Sequence, residues 1–149
     1  MKFISPLKVL ATKARKFILN LNIFRNTHYR VLNNWKINYK KYMEGQIENS
    51  PRYKKVFCVY TIYPMSKRRY DLGNVCCIHQ KFFEDALVEL GKLEDDNVDF
   101  IPLVIYKRGE LDKDNPRVEV DVYDITNDNK QILIDIIEEV FRKEAIEYD

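Results

Sequence analysis

Apolar and polar positions change period several times along the chain, and each change predicts an element. Residues 16–24, KFILNLNIF, alternate, with Phe17, Leu19, Leu21 and Ile23 on one side, which predicts a strand. Asn26 or Thr27 can cap a following helix that runs to about Ile47. Along it Tyr29, Leu32, Trp35, Tyr39 and Met43 recur at helical spacing, and the other face is basic, with Arg30, Lys36, Lys40 and Lys41. Asn49-Ser50-Pro51 predicts a turn. Residues 55–63, KVFCVYTIY, are rich in β-branched and aromatic side chains and predict a strand, followed by a basic loop over 64–70. A second helix is predicted from near Asn74 to Gly91, a residue suited to the position just past a helix end. Residues 98–106, VDFIPLVIY, predict a strand that Pro102 confines to an edge or a bulge. A polar, hairpin-like connection over 107–116 leads to 117–124, RVEVDVYD, which alternates with Val118, Val120 and Val122 inward. The last element, about 128–145, is an amphipathic helix built on Ile132, Ile136, Ile137, Val140 and Phe141. The order β-α-β-α-β-β-α predicts an α+β fold, a single mixed β-sheet with flanking helices.

Length changes this picture little: 149 residues suit one domain with a core that needs no disulfide or metal to hold it. Cys58, Cys76 and Cys77 form no framework, because two are adjacent, the count is odd and no CxxC occurs; a reducing compartment is expected. No apolar run is long enough for a membrane span. Residues 1–10 are basic and apolar but lack a continuous apolar core and a small-residue cleavage site, so no signal peptide is expected and residues 1–15 read as a basic N-terminal extension.

Charge changes the picture more. The net value of +2 hides a division: residues 1–70 hold 16 Lys and Arg against two acids, Glu44 and Glu48, while residues 71–149 hold 9 against 21. Such a division suggests a polyanion-binding face in the first half and acids for a metal in the second. Mutual electrostatic complementation of the two halves is the plainer alternative.

Chemistry concentrates between Lys67 and Val98. Asp71 precedes the second helix, and Asp95 and Asp96 follow its glycine stop. If the flanking strands fold back beside each other, such carboxylates gather as hard oxygen ligands suited to Mg²⁺ or Mn²⁺. On a helical wheel Val75, His79, Phe82, Phe83, Ala86 and Leu90 share the core side, while Asn74, Lys81 and Asp85 share another. Lys81 and Asp85 are either a surface ion pair or part of a site-facing stripe. A buried, packing role is expected for His79, and packing for Cys76 and Cys77.

In order along the chain stand Lys67-Arg68-Arg69, Asp71-Leu72-Gly73-Asn74, Lys81, Asp85-Ala86-Leu87, Gly91 and Asp95-Asp96. This set resembles the RusA-like Holliday-junction resolvases, which carry a basic loop, Asp-x-Asp-Asn, a helix with a Lys and Asp-Ala-Leu, a Gly and an Asp pair. The first predicted strand followed by Asn20-Leu21-Asn22 and Arg25-Asn26-Thr27-His28-Tyr29 is similar to that family's first strand and its polar, aromatic loop. The resemblance covers roughly residues 16–124; the first fifteen residues and the last helix lie outside it. The chain departs from the pattern twice. Gly73 stands where the family has a second Asp, and the stretch from Asp71 to Lys81 is longer by about one helical turn, which nearly preserves the helix face.

The resemblance implies hydrolysis of phosphodiester bonds in four-way or branched DNA by a homodimer with Mg²⁺ or Mn²⁺. It implies no small-molecule cofactor, no membrane partner and a cytoplasmic setting in a bacterial or phage-infected cell. In that reading Asp71, Lys81 and Asp96 are catalytic. Asp71 and Asp96 ligate metal, with Asp95 or Asp85 assisting and Asp85, Asp95 or Glu94 compensating for Gly73. Asn74 orients a ligand or water. Lys67, Arg68, Arg69, Arg25, His28, Lys36 and Lys40 contact DNA. A non-catalytic, structure-selective DNA-binding protein on the same scaffold, or a protein-interaction module, are the alternatives.

Overall fold

In the computed structural model, which describes residues 1–12 and 15–145, ten elements follow one another. They are β1 (Lys2–Pro6), β2 (Lys8–Thr12), β3 (Arg15–Ile18), α1 (Leu21–Arg25), α2 (Tyr29–Glu48), β4 (Val56–Tyr63), α3 (Leu72–Glu89), β5 (Leu103–Arg108), β6 (Arg117–Asp124) and α4 (Lys130–Ala145). The fold is α+β. Its centre is one mixed sheet of four strands in the order β1-β6-β4-β5, with β2 and β3 forming a separate antiparallel pair. Within the central sheet β1–β6 and β6–β4 are antiparallel, and β4–β5 is parallel. The parallel pair is joined by α3, so the chain from β4 to β5 is a β-α-β unit. Among the described residues no helix is long and apolar enough to cross a membrane.

α2 and α3 pack side by side and bury one face of the sheet. Trp35, Tyr39, Met43 and Ile47 from α2 and Phe82, Phe83, Ala86 and Leu87 from α3 meet Cys58, Tyr60, Val118, Val120 and Val122, all buried. The inward valines of β6 are those that its alternation predicts. His79 is buried among them with its Nδ1 2.7 Å from the Ser5 hydroxyl, itself 2.7 Å from the Tyr39 hydroxyl. Burial depresses the imidazole to about 3, so the ring stays neutral and serves packing, as its helix position suggests.

Several boundaries differ from the sequence pattern for identifiable reasons. The strand expected over 16–24 stops at Ile18, because the Asn20 side chain accepts from the Asn22 N–H at 2.8 Å and caps a one-turn helix instead. His28, rather than Asn26 or Thr27, caps α2, its ring accepting from the Arg30 N–H at 3.3 Å. Residues 97–101 form a turn closed by Phe100 and Ile101 N–H donating to the Asn97 carbonyl, so β5 begins only after Pro102. β5 lies at the sheet edge, one of the two places expected for it, with Pro102 just outside the ladder. The connection over 109–116 is no hairpin, since β4 lies between β5 and β6. At its start Gly109 donates its N–H to the Ile62 carbonyl at 2.7 Å. A Cβ there would come within 2.8 Å of that oxygen and 2.9 Å of the Tyr63 ring.

The largest difference lies at the N-terminus. The start of the stretch read as an extension belongs to the sheet: Lys2–Pro6 is an edge strand registered on β6, with Phe3 in the core and Lys2 paired to Glu119 at 2.6 Å, while residues 13–14 of that stretch lie outside the described residues. α4 forms as its apolar spacing predicts, yet none of its described residues is buried, and Ile137 and Phe141 are 52% and 72% exposed.

Candidate nucleic-acid groove and acidic cluster

α3 separates two charged regions. At its start lies the connection from β4, residues 64–71. Because β4 and β5 run parallel, with Thr61 opposite Lys107 and Ile62 opposite Arg108, the end of β5 stands beside this connection. The result is an open groove lined by Lys67, Arg68, Arg69, Lys107 and Arg108, with Tyr63 and Tyr70 among its walls. Such clefts at the carboxyl ends of parallel strands are a recurrent place for ligands. Asp71 and Asn74 also line it, the Asn74 amide donating to the Asp71 carboxylate at 3.2 Å. Asp71 occupies the N-cap position without accepting a capping bond; it is exposed, and among the described residues Asn74 is its hydrogen-bond partner. Gly73 is exposed, and a Cβ there would meet nothing.

At the other end, Gly91 turns the chain with φ 74°, a left-handed conformation that a glycine adopts freely. The following loop brings Asp95 and Asp96 back beside Asp85. The Asp95 carboxylate accepts from the Asp96 N–H at 2.7 Å and from the Asn97 amide at 2.7 Å. The Asp96 carboxyl is pushed up by burial first, then by hydrogen bonding and charge from Asp95 and Asp85. Beneath this cluster lies a group that the sequence pattern did not single out. Glu84 is buried, accepts from the Tyr60 hydroxyl at 3.0 Å and from the Gln80 amide at 3.3 Å, and Gln80 in turn accepts from the Tyr106 hydroxyl. Burial raises its carboxyl to about 7, with smaller contributions from Asp96 and Asp85. The available signal was its place on the wheel, beside Phe83 and one turn beyond Gln80.

The structure therefore gathers Lys67, Arg68, Arg69, Asp71 and Asn74 at one end, and Asp85, Asp95 and Asp96 at the other. It does not bring Asp71 to Asp96. Fourteen helical positions separate Asp71 from Asp85, about 21 Å at 1.5 Å per residue. The ligand set expected from Asp71, Asp96, Asp95 and Asp85 does not fit a single cation within one protomer. Among the described residues no group of three or more His, Cys, Asp or Glu could hold a metal ion. Asp71 stands apart because a β-α-β crossover returns the chain to the end of the sheet from which β4 started, so the loops before and after α3 lie at opposite ends.

Other expected contacts are redistributed. Lys36 pairs with Asp85 at 3.3 Å and Lys40 with Glu89 at 2.9 Å, so these two cations of α2 bridge to α3. Asp85 is thereby paired with Lys36 and not with Lys81, which is exposed and in no ion pair among the described residues. Arg25 is exposed in the last turn of α1, and His28 is exposed at the α2 cap, stacked on Tyr29 with ring centroids 4.5 Å apart. No family model matches this chain, and no curated protein matches it, so the likeness to RusA-like resolvases rests on the ordered residues alone.

Proposed function

We propose that this protein binds branched DNA in the groove at the start of α3 and cuts it by phosphodiester hydrolysis in Mg²⁺ or Mn²⁺, acting as a homodimer. The observation that carries the reading is the basic run Lys67, Arg68 and Arg69, in no ion pair among the described residues, lining one groove with Lys107 and the Asp71 carboxylate, while the groove's other cations, Arg108 and Lys143, are paired with Glu144, Glu110 and Glu139. Cations in an open groove suit a phosphate backbone, and arginines grip phosphate oxygens two at a time. The amide ends of α3 add partial positive charge on the same side. Asn74 fixes the direction of Asp71. Lys81, two turns further along α3, supplies a free cation to a phosphate chain that runs over the helix.

Cleavage of a synthetic four-way junction in Mg²⁺ or Mn²⁺ tests this reading, with linear duplex as control. Wild type is expected to cut the junction in preference, and Asp71→Asn to lose cutting while retaining binding. Tight, salt-sensitive binding without cleavage would favour the second reading, a structure-selective binding protein. That alternative is favoured by the distance between Asp71 and the acidic cluster and by Gly73 in the place of a family Asp.

A further inference from the structure

We infer that the groove at the start of α3 holds unpaired nucleotides, with their phosphates along Lys67, Arg68 and Arg69 and their bases against an apolar wall on α4. The branch point is then bound open, and the preferred substrate is branched DNA with single-stranded arms or gaps. The nucleic acid in this statement rests on the function proposed above, and the unpaired bases rest on the wall. α4 lies outside the stretch that resembles the resolvases, so the wall belongs to this chain.

The groove is not uniformly basic. Ile18, Met65, Leu111, Ile137 and Phe141 are exposed and line it as well. Exposed apolar side chains gathered in one place mark an interaction site. A paired duplex leaves them without a partner, because its base faces are stacked inside and out of reach. The groove encloses about 1880 Å³, beyond the roughly 300–1,000 Å³ usual for a small molecule, and so has room for a stretch of polymer. Charge divides it. Lys67, Arg68 and Arg69 are exposed and in no ion pair among the described residues. On the α4 side Lys143 pairs with Glu139 at 2.8 Å and Arg108 with Glu144 at 2.6 Å. The Glu139 carboxyl is held low by the Lys143 hydrogen bond first and by the charge of Lys107 next. Unanswered positive charge therefore concentrates on the loop before α3. The α4 wall presents Ile137 and Phe141, four residues apart and so on one stripe of the helix.

A single strand is divided in the same way, with a charged backbone along one edge and base faces along the other, each face able to stack on a ring. Phe141 supplies that ring. The Tyr63 ring is covered by the Arg117 guanidinium, 4.2 Å from its centroid, and Tyr70 is half-buried. Isoleucine, methionine and leucine serve unstacked bases as well, as the apolar wedges that proteins press between base steps show. An acidic peptide with apolar side chains also matches a basic and apolar groove. Three cations in succession on one loop favour the nucleotide chain, which carries a charge at every step.

Binding of the full chain, without divalent cation, to labelled oligothymidylate, to a forked duplex with unpaired arms and to linear duplex tests the site. Wild type is expected to hold the first two more tightly than linear duplex, and to weaken on all of them as salt rises. Phe141→Ala should weaken oligothymidylate binding about tenfold and leave linear duplex unchanged, and Phe141→Trp should keep the wild-type affinity. Tyr42→Ala, which removes an exposed ring on α2 away from the groove, should change nothing. Linear duplex held as tightly as oligothymidylate, or a Phe141→Ala variant that loses both equally or neither, overturns the base wall. An acidic copolymer of glutamate and tyrosine that binds where oligothymidylate does not, with the same loss in Phe141→Ala, overturns it in favour of an acidic peptide. A wild type that holds oligothymidylate as expected but never cuts a junction overturns the nuclease reading and leaves the unpaired-base site standing. A wild type that cuts junctions and shows no preference for unpaired arms does the reverse.

Discussion

The two ends of α3 use charge in different ways. At its start, cations stand in an open groove and few of them are consumed by neighbours: Arg108 pairs with Glu144, while Lys67, Arg68 and Arg69 have no ion pair among the described residues. At its end, carboxylates crowd one another, and part of their charge is answered internally by Lys36 and Lys40. One end thus keeps a basic run that no carboxylate of the described residues pairs with. The other holds more negative charge than its own chain neutralises. The comparison teaches that the charge division along the sequence is neither purely a binding face nor purely mutual neutralisation: α2 lysines answer part of the acidic end, and the basic loop stays unanswered.

The strongest way to separate the ends is pH. Glu84, under the acidic end, has a folded value near 7 against an ordinary value of 4.5. The folded protein then binds more protons than the unfolded chain between these values, so its contribution to stability is present at low pH and is lost as pH rises through 7. The full loss is on the order of 3 kcal/mol at 1.36 kcal/mol per unit. Glu84→Gln should therefore be more stable than wild type in denaturant melts at pH 8, and no more stable at pH 4.5. His79 slopes the other way: its folded value near 3 makes stability fall as pH drops below about 6.5, so the two groups offset each other between pH 4.5 and 6.5. A melt of Glu84→Gln that keeps the wild-type pH dependence would mean that Glu84 is not titrating.

A smaller effect separates the ends by ligand. Arg68→Ala with Arg69→Ala should lower junction affinity about 10- to 100-fold and make its salt dependence shallower by about two counterions. Asp95→Asn, at the other end, should leave affinity at or above the wild-type value in the same titration. Equal losses from both would erase the distinction. Smaller again, Lys36→Met removes a half-exposed pair between α2 and α3 and should cost about 0.5–1 kcal/mol, read by urea midpoint. The smallest change is Gly73→Asp. Open space around the Cβ position and a place in the first helical turn predict a change within about 0.5 kcal/mol, with the fold retained by circular dichroism.

Much of the fold was legible because its strands and helices carry their own period. β4, β6 and α3 are read from alternation, β-branched content and a terminal glycine, and they appear with small shifts. β1 was not legible. Lys-Phe-Ile-Ser-Pro is too short to show a pattern, and it is a strand only because β6, near the other end of the chain, offers an edge. The alternation of residues 16–24 misled for the opposite reason: the pattern was present, but the local bond from Asn20 won. In the candidate site the residue types were legible and their placement was not. Local sequence announces a basic loop and an acidic loop; only the parallel register of β4 and β5 says that α3 holds them apart.

One uncharged residue governs how the basic groove can be used. Gly109 lies directly after Arg108, in contact with the backbone at the end of β4. The two strand ends are held there by a clearance smaller than one carbon atom. A methyl group at that position would wedge them apart and change the spacing between the cations of the two strands, without altering a single charge. The width of this groove is therefore set first by the glycine, and substitutions among its lysines and arginines would change its charge at a fixed width.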